Sequence, residues 1–314
     1  MIKFVNSQFD INEVKKTDIF ICAFGYERRS MSLFYKMRKV ILPDNIHVFV
    51  FDDYKKYQYM ISPIEDVIKE IDAVIVGYDS NIEVAENIKK IVSLKKTLDD
   101  NIVVHIDYSS MPRQWYCELP FLLRKSMDNR DKLYFWYVAG EYPGDYEAYP
   151  CAGIDSFWNV IGKTSLRTAM RRIHVLGIGY DTVRTSAMLS ILDPDSYIVC
   201  CAYNKENEKI GDNVQQANEQ IISGAYMSIA FQIDDFSYMI AKLCEVANEF
   251  LPMGDVILVP DGPKPLIFAM SLIPQILKKP GITCLQVSRN KECYMPIDVK
   301  ATDNIYGFSV KEVL

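Results

Sequence analysis

Three histidines in 314 residues leave little imidazole for catalysis or metal binding. His47, His105 and His174 each lie in or beside an apolar run, the setting of a buried structural histidine rather than a general base. Cysteine is less scarce, with eight residues, but no C-x-x-C pair and no Cys/His cluster occurs. That excludes the usual zinc and disulfide frameworks and favours reduced thiols. Cys22, Cys200, Cys201, Cys244 and Cys284 fall inside apolar patterns, where cysteine acts as a small hydrophobe. No run approaches the roughly 18 uninterrupted apolar residues of a membrane span, and the N-terminal residues lack a signal-peptide core. A cytoplasmic protein with no membrane partner is expected. A net charge of −6 counts against a protein that coats nucleic acid in bulk. Neither a G-x-x-x-x-G-K-[ST] loop nor a complete G-x-G-x-x-G is present, because Leu176-Gly177-Ile178-Gly179-Tyr180-Asp181 lacks the third glycine. No metal or dinucleotide cofactor is indicated.

What the chain does contain is a repetition. Ile21-Cys22-Ala23-Phe24-Gly25-Tyr26-Glu27-Arg28-Arg29-Ser30 is echoed by Leu176-Gly177-Ile178-Gly179-Tyr180-Asp181-Thr182-Val183-Arg184-Thr185-Ser186. Ile106-Asp107-Tyr108-Ser109-Ser110-Met111-Pro112-Arg113 is echoed by Val259-Pro260-Asp261-Gly262-Pro263-Lys264. Gly179 follows Gly25 by 154 residues and Lys264 follows Arg113 by 151, so one shift, with small indels, aligns both pairs.

Runs rich in Val, Ile, Phe and Tyr predict strands at 18–24, 46–52, 72–78, 101–107 and 132–139, with helical patterns near 28–41, 62–71, 82–98 and 112–127. The second half repeats the order, with strands near 172–178, 196–203, 227–233, 255–260 and 282–287 and helices near 182–192, 212–223, 236–250 and 263–278. This alternation of β and α predicts an α/β protein of two tandem Rossmann-like, three-layer halves with mostly parallel sheets, related by internal duplication. The expected division is a first half over 1–140, an aromatic, turn-rich connector over 141–171 and a second half over 172–314. In the connector, Tyr142, Tyr146, Tyr149, Phe157 and Trp158 are too apolar for a flexible linker. The tail 288–314 reads as irregular structure with one or two short strands.

In open parallel sheets, ligands bind beyond the carboxyl ends of the strands, where helix N-termini offer unpaired N–H groups to anions. Both repeated motifs are strand-to-helix junctions. The first supplies Gly25, Tyr26, Glu27, Arg28, Arg29 and Ser30 in one half, and Gly179, Tyr180, Asp181, Arg184 and Thr185 in the other. The second supplies Asp107, Ser109, Ser110 and Arg113, then Asp261, Gly262 and Lys264. Glycine permits close backbone approach, arginine grips phosphate with two nitrogens, hydroxyls cap or donate, and Tyr26 or Tyr180 could stack on a base. Pro112 and Pro263 suit a first helical turn. The plain alternative is that Gly-Tyr ends a strand while Asp107 and Asp261 cap helices. No Ser-His-Asp or Cys-His constellation can be assembled from the motif spacing, and Ser109-Ser110 lacks the G-x-S-x-G elbow.

The run Val259 to Leu266 resembles the strand-end loop of CRISPR-associated Rossmann-fold ligand-sensor domains. In that family a glycine-rich loop ending in Lys faces an oligonucleotide. Gly262 and Lys264 are the matching positions, Arg113 is the weaker counterpart, and the first motif occupies the place of the family's other ligand-facing loop. Asp-Gly-Pro stands where the family has Gly-Gly-Thr, and Ser-Met-Pro precedes Arg113. The resemblance implies a family dimer imitated by two halves of one chain, and a role in prokaryotic antiviral defence.

The expected function is binding of a phosphorylated small molecule, a nucleotide or oligonucleotide signal, in a cleft between the halves. Two alternatives stand beside it. One is a nucleotide hydrolase or transferase using Asp107 or Asp261. The other is a non-catalytic interaction subunit of a larger complex, in which a protein effector partner supplies the chemistry.

Overall fold

A computed structural model describes residues 2–12, 14, 18–77, 81–98, 101–141, 153–159, 166–167, 170–204, 208–288 and 297–312, with the side chains of 81, 82, 208–210 and 312 left aside. The chain divides into two compact units, Met1–Pro143 with Pro296–Leu314, and Gly144–Met295.

The first unit is built on strands β1 (Ile2–Gln8), β2 (Ile19–Phe24), β3 (Ile46–Phe51), β4 (Val74–Val76), β5 (Val103–Asp107), β6 (Lys132–Glu141) and β13 (Lys300–Glu312). They form one sheet in the order β1-β13-β6-β5-β2-β3-β4. From β6 to β4 every pairing is parallel; β13 and β1 add an antiparallel flank. Every residue of β2 is buried, which is why its run Ile19-Phe20-Ile21-Cys22-Ala23-Phe24 is apolar without alternation. Helices α1 (Ser32–Met37), α2 (Gln58–Glu70), α3 (Asn81–Leu98), α4 (Arg113–Tyr116) and α5 (Leu119–Arg124) connect the strands. Phe20, Cys22, Phe24, Phe34, Val48, Val50 and Ile64 lie at the centre of one core cluster. Fully burying side chains of this size contributes about 1.5–3 kcal/mol each.

The second unit uses β7 (Phe157–Asn159), β8 (Arg172–Gly177), β9 (Ser196–Tyr203), β10 (Met227–Gln232), β11 (Asp255–Val259) and β12 (Ile282–Val287), ordered β10-β9-β8-β11-β12-β7. All of these pairings are parallel except that of β7 with β12. Its helices are α6 (Thr182–Leu192), α7 (Glu208–Ala217), α8 (Glu219–Ser223), α9 (Phe236–Phe250) and α10 (Lys264–Leu277).

Counting the parallel strands of each unit in chain order, both sheets read 3-2-1-4-5, with an antiparallel strand beside the fifth. The duplicated sequence pattern is therefore a duplicated topology, and the protein is α/β with two Rossmann-like units. In both, the strand order reverses between the first and fourth strands, β2 and β5 in one unit and β8 and β11 in the other.

Two expectations from sequence are corrected. Residues 300–312 are one long strand rather than irregular tail, and they complete the first unit's sheet between β1 and β6, so the second half does not extend to 314. The cause is side-chain alternation: β1 buries mainly Phe4, and β13 crosses a bulge between Ala301 and Ile305, so neither shows the unbroken apolar run of an inner strand. Within the expected connector, Phe157 and Trp158 form β7 against β12 as part of the second unit, whereas Tyr142, Tyr146 and Tyr149 lie outside the described residues.

Candidate functional site

In the second unit the loops after β8 and β11 meet at the reversal of strand order. A Cβ on Gly177 would stand 2.4 Å from the Asp261 carbonyl oxygen, and one on Gly262 2.4 Å from that of Ile178. Gly262 also has a φ of +92°, which side-chain-bearing residues rarely adopt. Gly179 packs on the Gly262 backbone, and its carbonyl accepts from Asn218 Nδ2 at 3.0 Å. The close approach that these glycines permit is to the backbone of the other loop.

Asp181 caps α6 by accepting the Arg184 N–H at 2.9 Å, and its carbonyl accepts from the Thr185 hydroxyl at 3.1 Å. The Arg184 side chain is buried. Its Nε donates to Asp261 Oδ2 at 3.0 Å, its Nη2 bonds Asp261 Oδ1, and Asp181 Oδ2 lies 3.9 Å from Nε. One cation thus faces two carboxylates. Arg184 and Asp261, separate candidates in the sequence, are brought together as a structural pair. Thr185 is also buried. Tyr180 is partly buried and packs on the cluster of Ile178, Val199 and Val214. Lys264 opens α10 behind Pro263 and is partly exposed.

In the first unit the residues after β2 wind into a 3-10 helix, Arg28–Met31. Gly25 sits against the Phe51 ring. Arg29 is buried: its Nε donates to Glu27 Oε2 at 2.6 Å, and Nη1 donates to the Tyr137 hydroxyl at 3.0 Å and the Val138 carbonyl at 3.4 Å. Ser109 meets the same strand residue at its N–H. Its Oγ accepts from the Val138 N–H at 2.7 Å and donates to Asp107 Oδ1, which also accepts the Ser109 N–H at 2.9 Å. Arg29, Ser109 and Asp107 therefore converge on β6, with both Asp107 and Ser109 buried. Ser30 and Ser110 turn their hydroxyl oxygens inward, away from solvent. Arg113 opens α4 behind Pro112 and is partly exposed. In both copies the proline is the residue before the helix and the cation is its first member.

Arg28 faces outward, with half its side chain exposed. Its backbone N–H donates to Asp298 Oδ1 at 3.3 Å, its Nε lies 2.8 Å from Asp298 Oδ2, and its guanidinium covers the Tyr59 ring at 4.9 Å. Asp298 thus presents a carboxylate to a helix-start N–H and a cation, the contacts expected of a bound anion. Tyr26 lies beside Tyr57, with centroids 5.6 Å apart, and its carbonyl accepts from the Tyr59 hydroxyl at 2.9 Å. Asp298, Tyr57 and Tyr59 were not picked out from sequence. The aromatic spacing in Tyr54-Lys55-Lys56-Tyr57-Gln58-Tyr59 was the available signal; for Asp298, 270 residues from Arg28, there was none.

His105 and His174 are buried in β5 and β8, whereas His47 on β3 is only partly buried. His105 Nδ1 accepts from the Trp136 indole at 2.8 Å, and burial lowers its pKa to about 3. Burial, with Arg172 adding to it, lowers that of His174 to about 4. Among the described residues, six cysteines are free thiols, and burial raises the pKa of Cys22, Cys200, Cys201 and Cys244, keeping them protonated. Among the described residues no group of three or more His, Cys, Asp or Glu is placed to hold a metal, and no helix is long and apolar enough to cross a membrane. No protein-family model matches the chain, and no curated protein matches it.

Proposed function

We propose that the protein binds a phosphorylated small molecule, a nucleotide or oligonucleotide signal, at the carboxyl edges of its sheets. The observation that carries this reading is the shared 3-2-1-4-5 order, which puts both repeated motifs of each unit at the reversal of strand order, the usual ligand crevice of open α/β sheets. Lys264 at the first turn of the 14-residue α10 and Arg113 at the matching point of the first unit are partly exposed cations at these strand-to-helix junctions, and we assign them the phosphate-facing role; Arg29 and Arg184 are buried against internal carboxylates. Asp107 and Asp261 are buried and bonded to Ser109 and Arg184, which supports binding over acid–base catalysis. The resemblance to ligand-sensor domains agrees with a signalling ligand and a place in antiviral defence, with a protein effector reading the bound state. Calorimetric titration of the wild type and of Lys264→Ala/Arg113→Ala with nucleotides and short oligonucleotides tests this. Loss of binding in a folded double variant is expected; unchanged affinity would sink the proposal.

A further inference from the structure

Beyond the carboxyl ends of β2 and β3 the first unit carries a cluster that the phosphate reading leaves unused. Three separated stretches build it: Tyr26 and Arg28 after β2, Tyr57 and Tyr59 after β3, and Asp298 before β13. Two features distinguish it from ordinary core packing. Tyr59 is 42% exposed and the Arg28 side chain 51%, so the guanidinium and the ring it covers are both open to solvent. The cluster is also held in place: Asp298 fixes Arg28 by side chain and backbone, the Tyr59 hydroxyl is tied to the Tyr26 carbonyl, and Tyr57 neighbours both other rings, 5.6 Å from Tyr26 and 6.4 Å from Tyr59.

The charge balance decides what such a surface can take. Asp298 cancels the charge of Arg28, so phosphate gains little there. A guanidinium lying on a tyrosine ring and neutralised at its edge remains planar and weakly hydrated, the kind of surface on which a nucleobase stacks. Lys55 and Lys56 on the same stretch are balanced by Asp52 and by Asp53, whose carboxylate lies 4.0 Å from Lys56 Nζ, so the rim carries no excess of either sign and recognition falls to the flat groups.

We infer that Tyr59 and Arg28, braced by Tyr26, Tyr57 and Asp298, form a stacking platform for the base of a nucleotide ligand. The inference rests on the proposed nucleotide-binding function and names the part of the ligand that this unit reads. Its recognition is through the π-face, so it tolerates different bases.

The test titrates the full chain with ATP, GTP, CTP and UTP, and with inorganic triphosphate, which has the phosphates and no base. The wild type should bind the nucleotides more tightly than triphosphate. Tyr59→Ala should weaken nucleotide binding by about 5- to 150-fold, the usual range for one lost base stack, and leave triphosphate affinity unchanged. Tyr59→Phe, which keeps the ring, should recover most of the loss. Tyr35→Ala, which removes a similarly exposed tyrosine from α1, should bind like the wild type, with melting curves confirming that each variant is folded. Equal nucleotide affinity in Tyr59→Ala and wild type, or equal loss for nucleotide and triphosphate, overturns the platform while the phosphate site stands. A wild type that binds triphosphate and nucleotides alike does the same. If the wild type binds neither probe, platform and function fall together.

Discussion

The Arg184 guanidinium holds Asp261 through two nitrogens and, with both residues buried, ties the loop after the first strand of the second unit's sheet to the loop after the fourth. Removing one partner leaves a buried charge without its counter-ion, a loss of about 3–5 kcal/mol. Arg184→Ala and Asp261→Ala should each lower the urea midpoint strongly, and the double variant should cost less than their sum. A strictly additive cycle would show that the pair does not couple the loops.

Gly262→Ala should destabilise the same junction by at least about 1–3 kcal/mol, since it combines a φ of +92° with a Cβ 2.4 Å from the Ile178 carbonyl oxygen. Gly25→Ala meets only the Phe51 ring, at 3.1 Å, and should cost less. Thermal melts of the two variants give the comparison, and a milder effect at Gly262 would contradict it.

Arg29→Lys should not be conservative. The guanidinium fork reaches Glu27, the Tyr137 hydroxyl and the Val138 carbonyl together, which one ammonium cannot reproduce. A loss of about 1–3 kcal/mol is expected, from unsatisfied buried groups, and hydrogen exchange should locate the loosening at β6. Wild-type protection of the β6 amides in the variant would refute this.

Acid should weaken the fold before most carboxylates titrate. His105 and His174 have folded pKa values of about 3 and 4 against about 6.5 unfolded, so between these limits the unfolded chain holds more protons. Their contribution is complete above about pH 6.5 and falls as pH drops, by about 1.4 kcal/mol per unit for each histidine. His105→Asn keeps an acceptor for the Trp136 indole and removes one titrating group. Its urea midpoint should fall less between pH 6.5 and 4 than that of the wild type; identical slopes would exclude His105 as a source.

The inner strands were legible because a strand buried on both faces must be apolar throughout: Asp255-Val256-Ile257-Leu258-Val259 reads as β11 with no ambiguity of period. The strand-to-helix junctions were legible for a related reason, since Gly, Pro and Asp mark where the chain must turn. The roles of the arginines were not. Sequence shows that Arg184 can grip an anion, but not that the anion is Asp261, 77 residues on. Likewise Ser109 looks like a ligand hydroxyl until Val138 and Asp107 are seen on either side of it. At a crowded strand reversal, the polar residues that would suit a ligand are also those needed to join two loops, and composition alone does not divide them.

Because β13 follows the second unit in the chain, a ribosome making about 5–20 residues per second delivers it roughly 10 to 30 s after β6. During that interval residues 144–295 can assemble, while β6 is without its neighbour and presents Tyr134, Trp136 and Val138 along an open edge. The nascent first unit is therefore the half exposed to mispairing, and the one a chaperone would need to guard.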